Sequence, residues 1–151
     1  MIQIYFGYGK GKTTSALGQG MRAKGAGKNV LLVQFLKNNK SSELAVLPFD
    51  IFKSPENLPF NPGKEYQAWV DSALSYIKNS TCDIIILDEP INALDDSGTE
   101  QVRQILLKHK QRGALIIIAC HDADELEFLS DEIIEIAEGR IQPCLLYTSP
   151  S

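Results

Sequence analysis

Glycines alternate with polar residues near the start of the chain, directly after an apolar run. The stretch reads Gly7-Tyr8-Gly9-Lys10-Gly11-Lys12-Thr13-Thr14, and a helical pattern follows it. Glycine can adopt positive φ, so that successive N–H groups turn inward around phosphate oxygens. A helix beginning near Lys12 would add its N-terminal amides and its dipole. This context predicts a phosphate-binding loop. A glycine-rich turn without a ligand would not need the lysine and threonines at its end.

Lys12 and Thr13 have the chemistry to complete such a site. Lys12 would bridge the β- and γ-phosphates of a nucleotide, and the Thr13 hydroxyl would hold Mg²⁺. The Walker A pattern G-x-x-x-x-G-K-[ST] asks for glycine at the position of Phe6. Because the later glycines, the lysine and the threonine are all present, we expect an intact loop of a different type. Residues 7–14 are therefore the predicted nucleotide-binding residues.

The acidic pair Asp88-Glu89 directly follows another apolar run, at residues 84–87. The carboxyl end of a parallel strand lies beside the phosphate crevice, where a carboxylate can hold Mg²⁺ directly or through water. Asp88 and Glu89, together with Thr13, are therefore predicted metal residues. In ATP hydrolases the glutamate that follows the aspartate polarises water, which would give Glu89 a catalytic role. The alternative, a solvated acidic strand end, is disfavoured because a phosphate loop needs a metal partner.

Short apolar runs alternate with helical patterns along the chain. Strands are predicted at residues 2–6, 30–35, 84–87, 114–119 and 133–136, with a short one at 48–53, and helices at 13–26, 64–79, 100–110 and 122–129. Three prolines in "SPENLPFNPG", residues 54–63, predict an irregular loop. Strands separated by helices favour a parallel sheet with helices on both faces. The expected fold is α/β with a mostly parallel sheet, in a single domain over residues 1–143.

Composition and charge restrict the function classes. A net charge of −4 over 151 residues argues against the basic face that nucleic-acid binding requires. No apolar run reaches the roughly 20 residues of a membrane span. Cys82, Cys120 and Cys144 lack metal spacing and favour a reducing cytosol, so we expect a cytoplasmic protein. The tail "CLLYTSPS", residues 144–151, shows no periodicity; it resembles translated read-through of a sequencing adaptor, and the alternative is an ordinary frayed tail.

The phosphate loop resembles that of the P-loop corrinoid (cobalamin) adenosyltransferases, which typically reads G-x-G-K-G-K-T-T without the early Walker glycine. The resemblance continues through "SALGQGMRAKGAGKNVLLVQFLK" and returns at "CDIIILDEPINAL". It implies a RecA-like P-loop sheet, ATP and Mg²⁺ as ligands, a reduced corrinoid as substrate and a homodimer. It also accounts for Phe6, because the family does not require glycine at that position.

The family transfers the 5′-deoxyadenosyl group of ATP to cobalt and releases triphosphate. Cobalt(I) is the nucleophile, so the chemistry requires no general base. The resemblance implies that Lys12, Lys10 and Mg²⁺ neutralise the departing triphosphate, and that the acidic pair serves the metal and the nucleotide. The family covers the lower face of the corrinoid with aromatic residues, typically a Phe-x-Trp pair. The corresponding stretch here is Leu58-Pro59-Phe60, so Phe60 is either a corrinoid contact or an anchor of its loop.

The second half of the chain resembles a different family. "ILDEPINALD" and "IIACHDADELEFLSDEIIEIAEGRI" are similar to the Walker B, D-loop and switch-histidine region of ABC-type ATPases. The adenosyltransferases usually have a T-G-R-like turn where this chain has Ala-Cys-His-Asp, residues 119–122. His121 could therefore sense a γ-phosphate, or it could be a partly buried histidine without a role. No LSGGQ-like signature occurs between Lys12 and Asp88, which argues against a complete ABC ATPase.

Three hypotheses stay open at this point. The first is an ATP:corrinoid adenosyltransferase, and the second is an ABC-like or switch-type ATPase that uses Glu89 on water and His121 as sensor. The third is a nucleotide-binding module without catalysis. Gln34, Lys37 and Glu43 lie at or after the end of the second strand, where they either line the crevice or belong to a solvated loop.

Overall fold

The computed structural model describes residues 1–8, 10–35, 42–53, 63–90, 94–121 and 127–142 of the 151-residue chain. Predictions for Gly9, Lys37 and Phe60 therefore lie outside the described residues, as does the tail at 144–151. The same holds for residues 122–126, the first part of a predicted helix.

Seven strands and three α-helices form within these residues. The strands are β1 (Ile2–Phe6), β2 (Val30–Gln34), β3 (Asp50–Phe52), β4 (Ile84–Asp88), β5 (Leu115–Cys120), β6 (Glu132–Ala137) and β7 (Arg140–Ile141). The helices are α1 (Lys12–Gly25), α2 (Lys64–Asn79) and α3 (Asp96–Gln111), and short 3₁₀ helices occupy Ser42–Ala45 and Glu127–Leu129. None of the helices in the described part of the chain combines the length and apolar character needed to cross a membrane.

The strands form one sheet in the order β3-β2-β4-β5-β1-β6-β7. Neighbouring strands are parallel except β6 and β7, which are antiparallel. One face packs on α1 through Ala16 and Leu17, and the opposite face packs on α2 and α3 through residues such as Val70 and Leu106. The predicted α/β fold, with a mostly parallel sheet and helices on both faces, is confirmed.

The central strands are uninterrupted apolar runs because helices cover both of their faces. Every residue of β2 and of β4 is buried. Helix α2 has the predicted bounds, whereas α3 begins at Asp96 rather than at Glu100. The earlier start has a local cause, since the Asp95 carboxylate accepts a 2.7 Å hydrogen bond from the Gly98 N–H and so caps the helix. The two-residue strand β7 is too short to show a period, so the sequence pattern does not predict it.

The buried His109 joins the carboxyl ends of α2 and α3, which lead into the amino-terminal ends of β4 and β5. Its Nε2 lies 2.7 Å from the Ile77 carbonyl oxygen, and its Nδ1 accepts a 2.8 Å hydrogen bond from Arg112. A carbonyl can only accept and an arginine can only donate, so this arrangement requires a neutral ring with its proton on Nε2. Burial lowers the pKa of His109 below its ordinary value of 6.5; the Ile77 carbonyl opposes the shift, and the Arg112 charge adds to it.

We predict that the free energy of unfolding falls as the pH drops below about 6.5, because the unfolded chain then binds a proton at His109 that the folded chain excludes. The contribution of neutral His109 to the free energy of unfolding is fully present above pH 6.5. It is lost as the pH falls toward the lowered pKa of the folded state. Urea unfolding at a series of pH values between neutrality and pH 5 measures this slope. His109→Gln keeps a donor for the Ile77 carbonyl and should flatten the curve; an unchanged slope in that variant would contradict the assignment.

Candidate functional site

The chain leaves β1 in a turn that begins at Gly7, not at the residue before it. Phe6 is still part of the strand, paired in register with Cys120, and its side chain packs against the core. Gly7 has φ of 126° and Gly11, the N-cap of α1, has φ of 117°. Both values lie in the region that favours glycine. The loop therefore needs no glycine at position 6, because its first left-handed residue comes one position later.

The loop is packed closely against the end of β6. A Cβ on Gly7 would lie 2.2 Å from the Ile136 carbonyl oxygen, which is far inside contact distance. The Tyr8 carbonyl accepts a 3.2 Å hydrogen bond from the Glu138 N–H. These contacts fix the direction in which the chain enters α1, whose first amides point back toward the loop.

Lys12 is buried at the start of α1, and its ammonium group points into the loop. Its Nζ donates to the Gly7 carbonyl at 2.5 Å and lies 3.2 Å from Nδ1 of His121. The same Nδ1 also lies 3.5 Å from the Gly7 carbonyl oxygen. The other ring nitrogen of His121, Nε2, lies 3.6 Å from Glu89 Oε1. The His121 ring therefore lies between the Lys12 ammonium group and the Glu89 carboxylate, beside the phosphate loop.

Asp88 is held on both of its carboxylate oxygens. The Thr13 hydroxyl donates to Oδ1 at 3.1 Å, and the Gln34 side-chain amide donates to Oδ2 at 3.2 Å. A hydroxyl and a carboxylate are the oxygen ligands that Mg²⁺ takes alongside nucleotide phosphates. The described residues contain no group of three His, Cys, Asp or Glu side chains that could hold an ion alone. The residues present fit a metal that shares its ligands with a nucleotide.

Glu89 departs from the strand geometry directly after Asp88. Its φ is 55°, a left-handed value that is uncommon for a residue with a side chain. Its N–H donates to the Ala119 carbonyl at 2.8 Å, so the backbone stays tied to β5 while the side chain turns toward His121. Such local strain is typical of functional sites.

The structure thus brings Lys12, Thr13, Asp88 and Glu89 together at the carboxyl ends of the parallel strands. Tyr8, Lys10 and Thr14 are exposed on the loop and on the first turn of α1. The Tyr8 ring lies nearly parallel to that of His121, with centroids 6.4 Å apart.

Two further residues are clarified by the geometry. Gln34, whose role was open between crevice and solvated loop, is buried and bonded to Asp88. His121, for which the sequence leaves open a γ-phosphate sensor or a histidine without a role, contacts Lys12. Glu43 lies in the short helix Ser42–Ala45.

The phosphate loop connects the first strand to a helix, and the acidic end of β4 faces it across one intervening strand. This arrangement defines the P-loop nucleotide-binding class. The chain belongs to the ATP:corrinoid adenosyltransferase family BtuR/CobO/CobP, whose family model matches residues 1–140. The family that the loop sequence resembles is thereby confirmed.

Curated relatives show the second resemblance. An uncharacterized ABC transporter ATP-binding protein, YybJ of Bacillus subtilis, is 45% identical over 60 residues, which are 40% of this chain and 28% of that protein. The lantibiotic transport ATP-binding protein SrtF of Streptococcus pyogenes is 34% identical over 104 residues, 66% of this chain and 44% of that protein. The chain spans less than half the length of these relatives. The similarity therefore concerns only a part of each ABC-type protein.

A solved structure shows the same fold. CbiO1 from Clostridium perfringens, part of the ABC transporter complex cbiONQ, superposes with a TM-score of 0.52 at 18% identity, over 94% of this chain and 75% of that chain. At this identity the likeness shows the fold alone. ATP binding is common to the family and to the ATP-binding relatives.

Gly7→Ala should damage both the fold and the site, because the added Cβ meets the Ile136 carbonyl and the backbone is left-handed. We expect the free energy of unfolding to fall by about 1–3 kcal/mol and ATP binding to weaken. Gly18→Ala is the matched control: Gly18 lies in α1, an added methyl group there would meet nothing within 4 Å, and alanine should stabilise the protein by about 0.5–1 kcal/mol. Equal behaviour of the two variants in chemical denaturation would disprove the close contact.

Lys12→Ala should weaken ATP binding about 10- to 100-fold, because a charged hydrogen bond to phosphate is lost. Titration calorimetry with ATP and Mg²⁺ measures the change. Lys24→Ala, at the exposed far end of the same helix, is the control and should bind as the parent does. Retained tight binding in Lys12→Ala would refute the assignment of the phosphate site.

Proposed function

We propose that this chain is an ATP:corrinoid adenosyltransferase, which moves the 5′-deoxyadenosyl group of ATP to the cobalt of a reduced corrinoid. The observation that carries the proposal is the family match, because it runs through both the phosphate loop and the acidic pair, over residues 1–140. The loop supports it too, because its first left-handed residue is Gly7 and it needs no early Walker glycine, which matches the loop sequence by which the chain resembles this family.

The reaction makes one bond and breaks one bond. Cobalt(I) donates an electron pair to carbon 5′ and is formally oxidised to cobalt(III), while the bond between carbon 5′ and the phosphate oxygen breaks. Triphosphate leaves with the electron pair of that bond, and no proton is transferred. The protein must therefore hold carbon 5′ in line with cobalt and stabilise the charge on the leaving group.

The residues of the site match these two tasks. Lys12 would exchange the Gly7 carbonyl for phosphate oxygens, which are stronger acceptors for an ammonium group. Thr13 and Asp88 would hold Mg²⁺, which when bound neutralises phosphate charge. Glu89 would serve the metal and the nucleotide together with Asp88. Phe60 remains the proposed corrinoid contact. We also propose a cytoplasmic protein that acts as a homodimer, in keeping with the family resemblance.

ATP hydrolysis is the second candidate function, and one contact favours it. Glu89 follows the metal carboxylate and lies 3.6 Å from His121, which in turn contacts Lys12. In this reaction Glu89 would take a proton from water as the water oxygen attacks the γ-phosphorus, and ADP would leave. His121 would then sense the γ-phosphate. The ABC-type relatives are consistent with this chemistry.

The products separate the candidates. The protein is incubated anaerobically with ATP, Mg²⁺ and a reduced corrinoid, and the nucleotide products are separated by ion-exchange chromatography. Adenosylcorrinoid and triphosphate in equal amounts support the transferase. ADP and phosphate formed without corrinoid support the hydrolase, and ATP binding with neither set of products leaves a binding module.

Glu89→Gln sharpens the same assay. Transfer needs no general base, so we expect the rate of adenosylation to change by less than about tenfold in this variant. Hydrolysis by Glu89 would fall by about 10²–10⁴-fold. Glu135→Gln, an exposed glutamate on β6, is the isosteric control. The affinity for ATP with Mg²⁺ is measured in the same variant, and a collapse of adenosylation in Glu89→Gln with this affinity retained would contradict a reaction without a base.

A further inference from the structure

Gln34 is the last residue of β2 and lies beside Asp88 in the sheet. The two residues are partners in the parallel register of β2 and β4. The Gln34 side chain is only 1% exposed, and its Nε2 donates to Asp88 Oδ2 at 3.2 Å. A carboxylate can only accept, so the NH₂ end of the amide must face Asp88. The orientation of the amide is therefore fixed.

This orientation leaves the amide oxygen without a partner. Gln34 Oε1 is buried and has no hydrogen bond among the described residues. A buried acceptor without a donor costs stability, and in native proteins such an atom calls for an explanation. The oxygen shares its carbon with the nitrogen that bonds Asp88 Oδ2, so it belongs to the same buried end of the side chain. Whatever satisfies it must be a hydrogen-bond donor that reaches this amide beside Asp88.

A water molecule on Mg²⁺ meets this requirement. Mg²⁺ gives up its waters reluctantly and usually keeps several of them when it binds carboxylates and phosphates. A metal-bound water is a strong donor because the ion withdraws charge from its oxygen. We propose that Gln34 is a positioning residue of the metal site: Nε2 holds the Asp88 carboxylate, and Oε1 accepts a hydrogen bond from a water on the nucleotide-bound Mg²⁺.

This role is independent of the reaction that follows. Adenosyl transfer and ATP hydrolysis both begin with Mg²⁺ and ATP at the Thr13–Asp88 pair. A failure of the corrinoid assay would therefore leave the role of Gln34 intact. Conversely, if the experiments below disprove the role of Gln34, the corrinoid assay still tests the proposed reaction.

The first test measures how much Mg²⁺ improves ATP binding, as the ratio of the Kd without Mg²⁺ to the Kd with Mg²⁺. Gln34→Met has a similar length but neither donor nor acceptor, and it should reduce this ratio about tenfold while metal-free ATP affinity stays within about twofold. Gln104→Met, on the exposed face of α3, is the matched control and should keep the parent ratio. An equal loss of affinity with and without Mg²⁺ would overturn the proposal, because a purely structural residue acts in both conditions.

Gln34→Glu separates the acceptor from the donor. It retains an oxygen for the metal-bound water but cannot donate to Asp88. Without Mg²⁺ the new carboxylate would repel that of Asp88, and a bound cation would relieve this repulsion, so we expect the Mg²⁺ ratio to stay at the parent value or to rise. A loss as large as that in Gln34→Met would mean that only the N–H group matters, and would overturn the role of Oε1.

A measurement on the unsubstituted protein covers the case in which these variants fail to fold. The side-chain carbonyl ¹³C resonance of Gln34 is recorded with ATP before and after Mg²⁺ is added. It should shift on addition of the metal, whereas the side-chain resonance of Gln3, whose amide bonds Glu132 on the neighbouring strand β6, should not. An unmoved Gln34 resonance at saturating Mg²⁺ would overturn the proposal.

Discussion

The parallel register of β1, β2, β4 and β5 is the constraint on which the site depends. Phe6 pairs with Cys120, Gln34 with Asp88, and Asp88 with Ala119, so the four strands end at one level. Gln34 and Asp88 stand last in their strands, and Glu89 and His121 stand immediately after theirs. A slip of one residue in any pair would turn its side chains to the opposite face, and the apolar cores on both faces oppose such a slip.

The position of β5 between β1 and β4 explains the shape of the site. The phosphate loop follows β1 and the acidic pair ends β4, so the two are separated by the width of one strand. Helix α1 bridges this gap at its first turn, where Thr13 reaches Asp88. His121, the residue after β5, fills the space between Lys12 and Glu89. The intervening strand therefore separates the loop from the carboxylates and also supplies the side chain that connects them.

Much of this could be predicted from the sequence because it depends on local patterns. The glycine spacing before Lys12 and the acidic pair after an apolar run are contiguous signals, and α2 shows its amphipathic period without interruption. The contacts of Gln34 and His121 could not be predicted, since each depends on which residue of another strand lies beside it. The cap at Asp95 is a local signal that an apolar period does not include, which is why α3 begins earlier than its hydrophobic pattern indicates. The same limit explains why the sequence resembles two families. The loop and the acidic pair are local signals, and proteins with different reactions share them.

The central claim is that a triphosphate binds between the loop and the acidic strand end. A crystal structure of the protein with ATP and Mg²⁺ tests this claim most directly. The account predicts that Lys12 Nζ has left the Gly7 carbonyl for a phosphate oxygen, and that the metal is bonded to the Thr13 hydroxyl with Asp88 beside it. A nucleotide bound elsewhere on the sheet, with the Lys12–Gly7 and Thr13–Asp88 hydrogen bonds unchanged, would contradict it.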